Sequence, residues 1–257
     1  MITLDSVSLT LGDRPVLRQV TFDVAPGETK VILGGSGSGK TTILRVMLGL
    51  VRPDGGTVRI EGEDLLKIPE KALRLIRQNM AMVFQGAALF DSLSIRENVG
   101  YRLWEQRRLS EEVIEKTVHE SLQFVGLEDT VEKMPAELSG GMRKRVGIAR
   151  ALATGARILL YDEPTSGLDP INACTVNKLI MRLKSKGVTQ IVVTHDLDTA
   201  YRVADRIVMI QKGQVAFEGT SEQLRASDHP TIREFLDPGC TTTGEWLYPP
   251  KPAKPLD

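Results

Sequence analysis

Residues 34–41 read Gly34-Gly35-Ser36-Gly37-Ser38-Gly39-Lys40-Thr41, a complete G-x-x-x-x-G-K-[ST] run. Before it lies a β-prone stretch, Thr29–Leu33, opened by the turn Pro26-Gly27-Glu28; after it comes Lys40–Leu50, where Ile43, Leu44, Met47, Leu48 and Leu50 fall at helical spacing. Strand, glycine loop and helix in that order constrain the fold more than any other feature of the chain. The glycines let the backbone curl so that successive N–H groups converge on phosphate oxygens, and the helix adds the positive end of its dipole. Lys40 is then expected on the β- and γ-phosphates and the Thr41 hydroxyl on Mg²⁺, with Thr42 in the same cradle.

The remaining elements support an α/β architecture. Thr3–Leu11, Val20–Val24, Thr57–Ile60, Arg157–Tyr161 and Gln190–Thr194 read as strands, and Ile171–Ser185 as a helix. Arg206–Ile210 and Gly213–Phe217 look like a closing hairpin. From about Gly86 to Arg150 strand signals thin out, and charged helix formers such as Ser110-Glu111-Glu112-Val113-Ile114-Glu115-Lys116 take over. Past Pro238 the chain is proline-rich, which predicts an extended tail. The apolar strand Arg157–Tyr161 ends in Asp162 and Glu163. Beside a phosphate loop, Asp162 suits a partner for Mg²⁺ and Glu163 a carboxylate that polarises an attacking water. Read alone, two acids after a buried strand more often simply cap the next helix or face solvent.

Composition excludes several classes. With 33 Lys+Arg against 33 Asp+Glu there is no electrostatic footprint for bulk nucleic-acid binding. Cys174 and Cys240 are too few for a disulfide framework or a four-cysteine zinc site. No apolar run is long enough to span a membrane, and the first residues lack a signal-peptide pattern, so the expectation is a soluble cytosolic protein.

Other motifs narrow the phosphate-loop class. Leu138-Ser139-Gly140-Gly141-Met142 stands ahead of the Asp162–Glu163 strand, at the start of a predicted helix Met142–Leu152. With the phosphate loop it resembles the signature of the ATP-binding cassette (ABC) ATPases. Val83-Phe84-Gln85 is similar to that family's glutamine loop, Ser166-Gly167-Leu168-Asp169 to its D-loop, and Thr194-His195 to its switch histidine. The resemblance spans roughly residues 2–236. It implies a P-loop NTPase of RecA-like type in 1–85 and 156–237 carrying an antiparallel β subdomain, an inserted helical subdomain with the signature in 86–155, and a tail in 238–257. It also implies ATP and Mg²⁺ as ligands. Lys40, Glu163 and His195 are the implied catalytic groups, Thr41, Gln85 and Asp162 the metal-facing ones, and Ser139, Gly140 and Gly141 a second γ-phosphate site presented to another subunit. One departure is that Leu11 occupies the position where an aromatic usually stacks on adenine, and another is Met142 where glutamine is commonest.

The segment Gly86–Val99, the Met142 variant, Leu168-Asp169-Pro170-Ile171 and Ile232-Arg233-Glu234-Phe235-Leu236 look like the ATPase subunits of Mla-type (maintenance of lipid asymmetry) phospholipid transporters. That resemblance implies a membrane permease, an MCE-domain lipid-binding protein, a homodimer of this chain, and a peripheral location on the cytoplasmic face of the inner membrane. Leu89 and Phe90 then form an apolar groove for a permease helix, or else pack within the helical subdomain. Trp246, Leu247 and Tyr248 in the tail dock on a neighbouring subunit, or the tail is a mobile terminus. The rival is a non-transport ABC ATPase acting on DNA or ribosomes. Against it stand the interval from Lys40 to Ser139, too short for a long coiled coil, a single cassette, and the shortage of zinc cysteines.

Overall fold

The computed structural model describes residues 2–237. The described residues form two sheets. The first is antiparallel and four-stranded, built from β1 (Ile2–Leu11), β2 (Arg14–Val24), β4 (Gly55–Ile60) and β5 (Glu63–Asp64) in the order β2-β1-β4-β5. The second has six strands: β3 (Thr29–Leu33), β6 (Met80–Val83), β7 (Ile158–Asp162), β8 (Thr189–Thr194), β9 (Arg206–Gln211) and β10 (Gln214–Gly219), in the order β10-β9-β3-β8-β7-β6. Its five strands β9, β3, β8, β7 and β6 run parallel, and β10 pairs antiparallel at one edge.

The central strands carry unbroken apolar runs, Val31-Ile32-Leu33, Ile158-Leu159-Leu160 and Ile191-Val192-Val193, because both faces are covered. Val31, Leu159, Tyr161, Val192, Ile207 and Met209 point into one cluster, while Ile32, Ile158, Leu160, Ile191, Val193, Val208 and Ile210 point into the other. The second cluster is closed by the antiparallel sheet, by α1 (Lys40–Met47) and by Leu73 of α2 (Glu70–Gln78). The first is closed by α3 (Ile95–Gln106), α4 (Glu111–Phe124), α5 (Gly140–Ala153), α6 (Pro170–Lys184) and α7 (Leu197–Val203), with Leu224 of α8 (Ser221–Ala226) and Ile232 of α9 (Pro230–Leu236).

Between β6 and β7 the described chain is helical, as expected. Helix α3 begins at a capping box, in which Ser94 Oγ accepts the Glu97 N–H and the Glu97 carboxylate accepts the Ser94 N–H. Asn98, fully buried, donates to the carbonyls of Phe90, Leu93 and Ser94 and accepts the Phe90 N–H. Leu89 packs inward against the core, whereas Phe90 is exposed and its ring lies 4.8 Å from that of Tyr101. The expected apolar face is therefore built from Phe84, Phe90 and Tyr101, without Leu89 as an exposed member. The tail, including Trp246, Leu247 and Tyr248, lies outside the described residues.

Candidate active site

In a parallel sheet the carboxyl ends of neighbouring strands open onto one crevice. Here β3, β8, β7 and β6 are adjacent in that order, and the chain leaves them at Gly34, His195, Glu163 and Phe84-Gln85 respectively. Residues far apart in sequence meet at this edge.

The phosphate loop follows β3 directly. Gly34 passes so close to β9 that a Cβ there would lie 2.3 Å from the Ile210 carbonyl oxygen. Gly39 has φ +107° and would set a Cβ 2.9 Å from Leu17. It caps α1 without a side chain, which leaves the first-turn N–H groups of the helix free to face an anion. Lys40 is buried; its ammonium donates to the carbonyls of Gly34 (2.8 Å) and Gly35 (2.9 Å) and stands 3.8 Å from Glu163 Oε1. Burial holds its pKa below the usual lysine value, against the pull of the Glu163 and Asp162 carboxylates.

Thr41 donates its hydroxyl to Asp162 Oδ1 at 3.0 Å, joining the loop to the end of β7. Burial raises the Asp162 pKa, and the Thr41 hydrogen bond opposes that. Glu163 has left-handed backbone, φ +50°, and is 9 % exposed. Its Oε2 accepts from the Thr194 hydroxyl at 3.2 Å and lies 2.9 Å from His195 Nδ1. Lys40, Thr41, Asp162, Glu163 and His195 thus form one connected cluster. Gln85 is exposed and reaches the loop after β7 through a 3.4 Å contact from its amide to Ser166 Oγ.

Ser139, Gly140 and Gly141 do not join that cluster. Ser139 caps α5, its hydroxyl accepting the Met142 N–H at 3.2 Å, so the helix starts at Gly140 rather than at Met142. Ser139 and Gly140 are exposed, while Gly141 is buried against α6, where a Cβ would lie 2.6 Å from Asn172 Oδ1. None of the three lines the phosphate-loop cleft. Asp169 caps α6 by accepting the N–H groups of Ile171 and Asn172.

The cleft itself, about 780 Å³, runs along Gly35, Ser36, Gly37, Ser38, Gly39, Lys40, Thr41 and Thr42. Leu11, Arg14, Val16 and Phe235 also line it. Sequence reasoning did not single out the last three for this cleft; Phe235 is its only aromatic among the described residues and comes from the last helix, which no local motif ties to the loop. Lys144 was also missed. It falls on the face of α5 that carries buried Gly141, Ile148 and Ala151, so a lysine in register with an apolar stripe was the available signal.

A family model described as ABC transporter matches residues 17–166, more than half of the chain. The chain belongs to the ABC transporter family. As an ABC ATPase it binds and hydrolyses ATP, and its fold is the cassette of that family. It is 38 % identical to the probable ribonucleotide transport ATP-binding protein mkl of Mycobacterium leprae, over 92 % of this chain and 68 % of that one. It is 36 % identical to the intermembrane phospholipid transport system ATP-binding protein MlaF of Escherichia coli K12, over 92 % and 88 %. It is also 38 % identical to the chloroplastic protein TRIGALACTOSYLDIACYLGLYCEROL 3 of Arabidopsis thaliana, over 91 % and 73 %. Among solved structures, the dimeric post-hydrolysis state of the ATP-binding cassette MJ0796 with ADP and Pi shares 33 % identity and a TM-score of 0.79, covering 86 % of this chain and 99 % of that one.

Proposed function

We propose that this ABC ATPase energises phospholipid transport through a partner permease, working as a homodimer on the cytoplasmic face of the inner membrane. The observation that carries the catalytic half is the cluster of Lys40, Thr41, Asp162, Glu163 and His195 at one sheet edge, with exposed Ser139 elsewhere. The transport half rests on the likeness to the Escherichia coli phospholipid protein and to a chloroplast protein that bears a lipid's name. The ribonucleotide named for the Mycobacterium leprae relative is the second reading. We take 1–85 with 156–237 as the nucleotide core, 86–155 as the helical subdomain and 238–257 as a tail.

In this scheme Lys40 holds the β- and γ-phosphates, and the loop N–H groups fix the remaining oxygens. The Glu163 carboxylate orients the attacking water, steadied by Thr194 and His195. Ser139 and Gly140 of a second copy close over the γ-phosphate, so the full set of electrostatic contacts exists only in the dimer. The donor set fits Mg²⁺: Thr41 and Asp162 present oxygens side by side, Gln85 adds an amide, and Ser38 Oγ is buried at the loop with no hydrogen-bond partner. When bound, Mg²⁺ would neutralise charge shared by the β- and γ-phosphate oxygens. The permease docks on the face of Phe84, Phe90 and Tyr101, and an MCE-domain protein carries the lipid.

The deciding experiment is purification of the native complex from membranes, with mass spectrometry of its protein and small-molecule contents. Phospholipid together with a permease supports the reading; nucleotide as the transported species, or ribosome or DNA in place of a permease, overturns it. Glu163→Gln tests the catalytic half: bound ATP is retained and turnover falls by about a hundredfold or more.

A further inference from the structure

Lys144 is a buried cation with no part in the scheme above. It sits on the second turn of α5 and is 7 % exposed. Its ammonium leaves the helix and donates to two backbone carbonyls, that of Glu163 at 3.2 Å and that of Ser166. The Glu163 carbonyl also accepts the Ser166 N–H at 3.2 Å, which closes the turn after β7. Burying an ammonium is costly unless its donors are satisfied. Burial holds the Lys144 pKa down, and the nearby Glu163 carboxylate opposes that shift.

The residue so held has a strained backbone. Glu163 has φ +50°, a left-handed region that is unfavourable for a residue bearing a side chain. Such a conformation persists only where the surroundings over-determine it. Here the Glu163 N–H donates to the Val193 carbonyl of β8 at 2.9 Å, and the Glu163 carbonyl is pinned by Lys144 from α5. The carboxylate then faces Thr194 and His195 through Oε2 and Lys40 through Oε1. A second tie from the same helix, Arg150, holds the left-handed Ala87 and Ala88 carbonyls at 2.7 Å, so α5 grips both loops that flank the cluster.

We infer that Lys144 is a positioning residue: by binding the Glu163 and Ser166 carbonyls it fixes the direction of the Glu163 carboxylate and ties it to the helix that Ser139 caps. The inference rests on the water-orienting role proposed for Glu163. It implies that displacement of α5 by a nucleotide seated on Ser139 is felt at Glu163 of the same chain.

The test compares Lys144→Met and Lys144→Arg in the full-length chain by steady-state ATP hydrolysis, direct ATP binding and thermal melting. Met fills the same space without a charge or donor. For Lys144→Met the expected result is a fall in kcat of about tenfold to a hundredfold, because a small misplacement of a catalytic group is enough for that. KM and ATP affinity should stay within about twofold of wild type, the pattern of a contact that matters only in the transition state. Lys144→Arg keeps the donors and should recover about a third or more of wild-type kcat. A lysine that only stabilises the fold would lower melting and binding stoichiometry instead. The inference is overturned by a Lys144→Met kcat within about twofold of wild type, or by KM rising in step with the loss. Should Lys144→Met not fold, Lys144→Gln replaces it with the same thresholds. Glu163→Gln run in parallel separates the two ideas. If it turns over normally, the role of Glu163 and this inference fall together; if it is silent while Lys144→Met is unaffected, only the inference falls.

Discussion

Asp162 and Glu163 are adjacent, yet their surroundings give them different work. Asp162 ends a strand and shares a hydrogen bond with Thr41; Glu163 turns into left-handed backbone and faces Thr194 and His195. Burial raises the Asp162 pKa above its ordinary 3.8, so the folded protein favours the protonated carboxyl more than the unfolded chain does. Asp162 therefore contributes stability below the unfolded value, and that contribution is lost as pH rises through the folded one. In metal-free solution, the stability of wild type relative to Asp162→Asn should decline as pH rises from about 4. Urea unfolding of both proteins across that range checks the sign, and a difference that grows with pH would contradict it. Leu11 offers a second test. It is 50 % exposed on the cleft wall. Leu11→Tyr should tighten ATP binding by about threefold to tenfold, since an aromatic stack contributes on the order of 1 kcal/mol. Unchanged affinity by calorimetry would place the base elsewhere, with Phe235 the next side chain to vary.

At the scale of elements, legibility follows periodicity and punctuation. The central strands were readable because burial on both faces leaves an unbroken apolar run, as in Ile191-Val192-Val193. Strand β2 was seen only over its last residues, because Arg14, Pro15, Arg18 and Gln19 are exposed around the short apolar pair Val16-Leu17, and a left-handed Gln19 interrupts the alternation. Helices α2, α7, α8 and α9 are no longer than nine residues and mostly half-buried, too short for a helical period to stand out. The phosphate loop and the strand-end acids were legible because their chemistry demands fixed residue types at fixed spacing. Lys144 and Phe235 were not, because they reach the site through tertiary packing alone. The capping of α3 shows how an element is held locally. Asn98 binds the backbone of Phe90, Leu93 and Ser94, so Asn98→Leu leaves several buried polar groups without partners and should cost at least about 2 kcal/mol. Urea unfolding measures that loss, and ATP affinity of the folded fraction should not change.

Across the whole molecule, the cluster around Lys40 and the exposed start of α5 at Ser139 are separate surfaces, and Ser139 does not line the phosphate-loop cleft. The homodimer proposed above would reconcile them, because an isologous pair places each surface of one copy against the other surface of its partner. That arrangement makes complementation decisive. Lys40→Ala spoils the phosphate loop and keeps the signature; Ser139→Ala does the reverse. Each homodimer then lacks one half of both sites. In a mixed dimer one site combines two damaged halves, and the other combines two intact ones. An equal mixture of the two inactive proteins should therefore recover about one quarter of wild-type hydrolysis if pairing is random and the sites act independently. Coupling between the sites lowers that figure without abolishing it. Recovery should follow total protein concentration, since it depends on subunit exchange, and vanish when either variant also carries Glu163→Gln only if that variant supplies the intact phosphate loop. Glu163→Gln added to the Lys40→Ala chain should leave the recovered rate unchanged, whereas the same change added to the Ser139→Ala chain should remove it. Equal effects in both chains, or no recovery at any concentration, would mean that Ser139 does not serve a nucleotide bound by another copy.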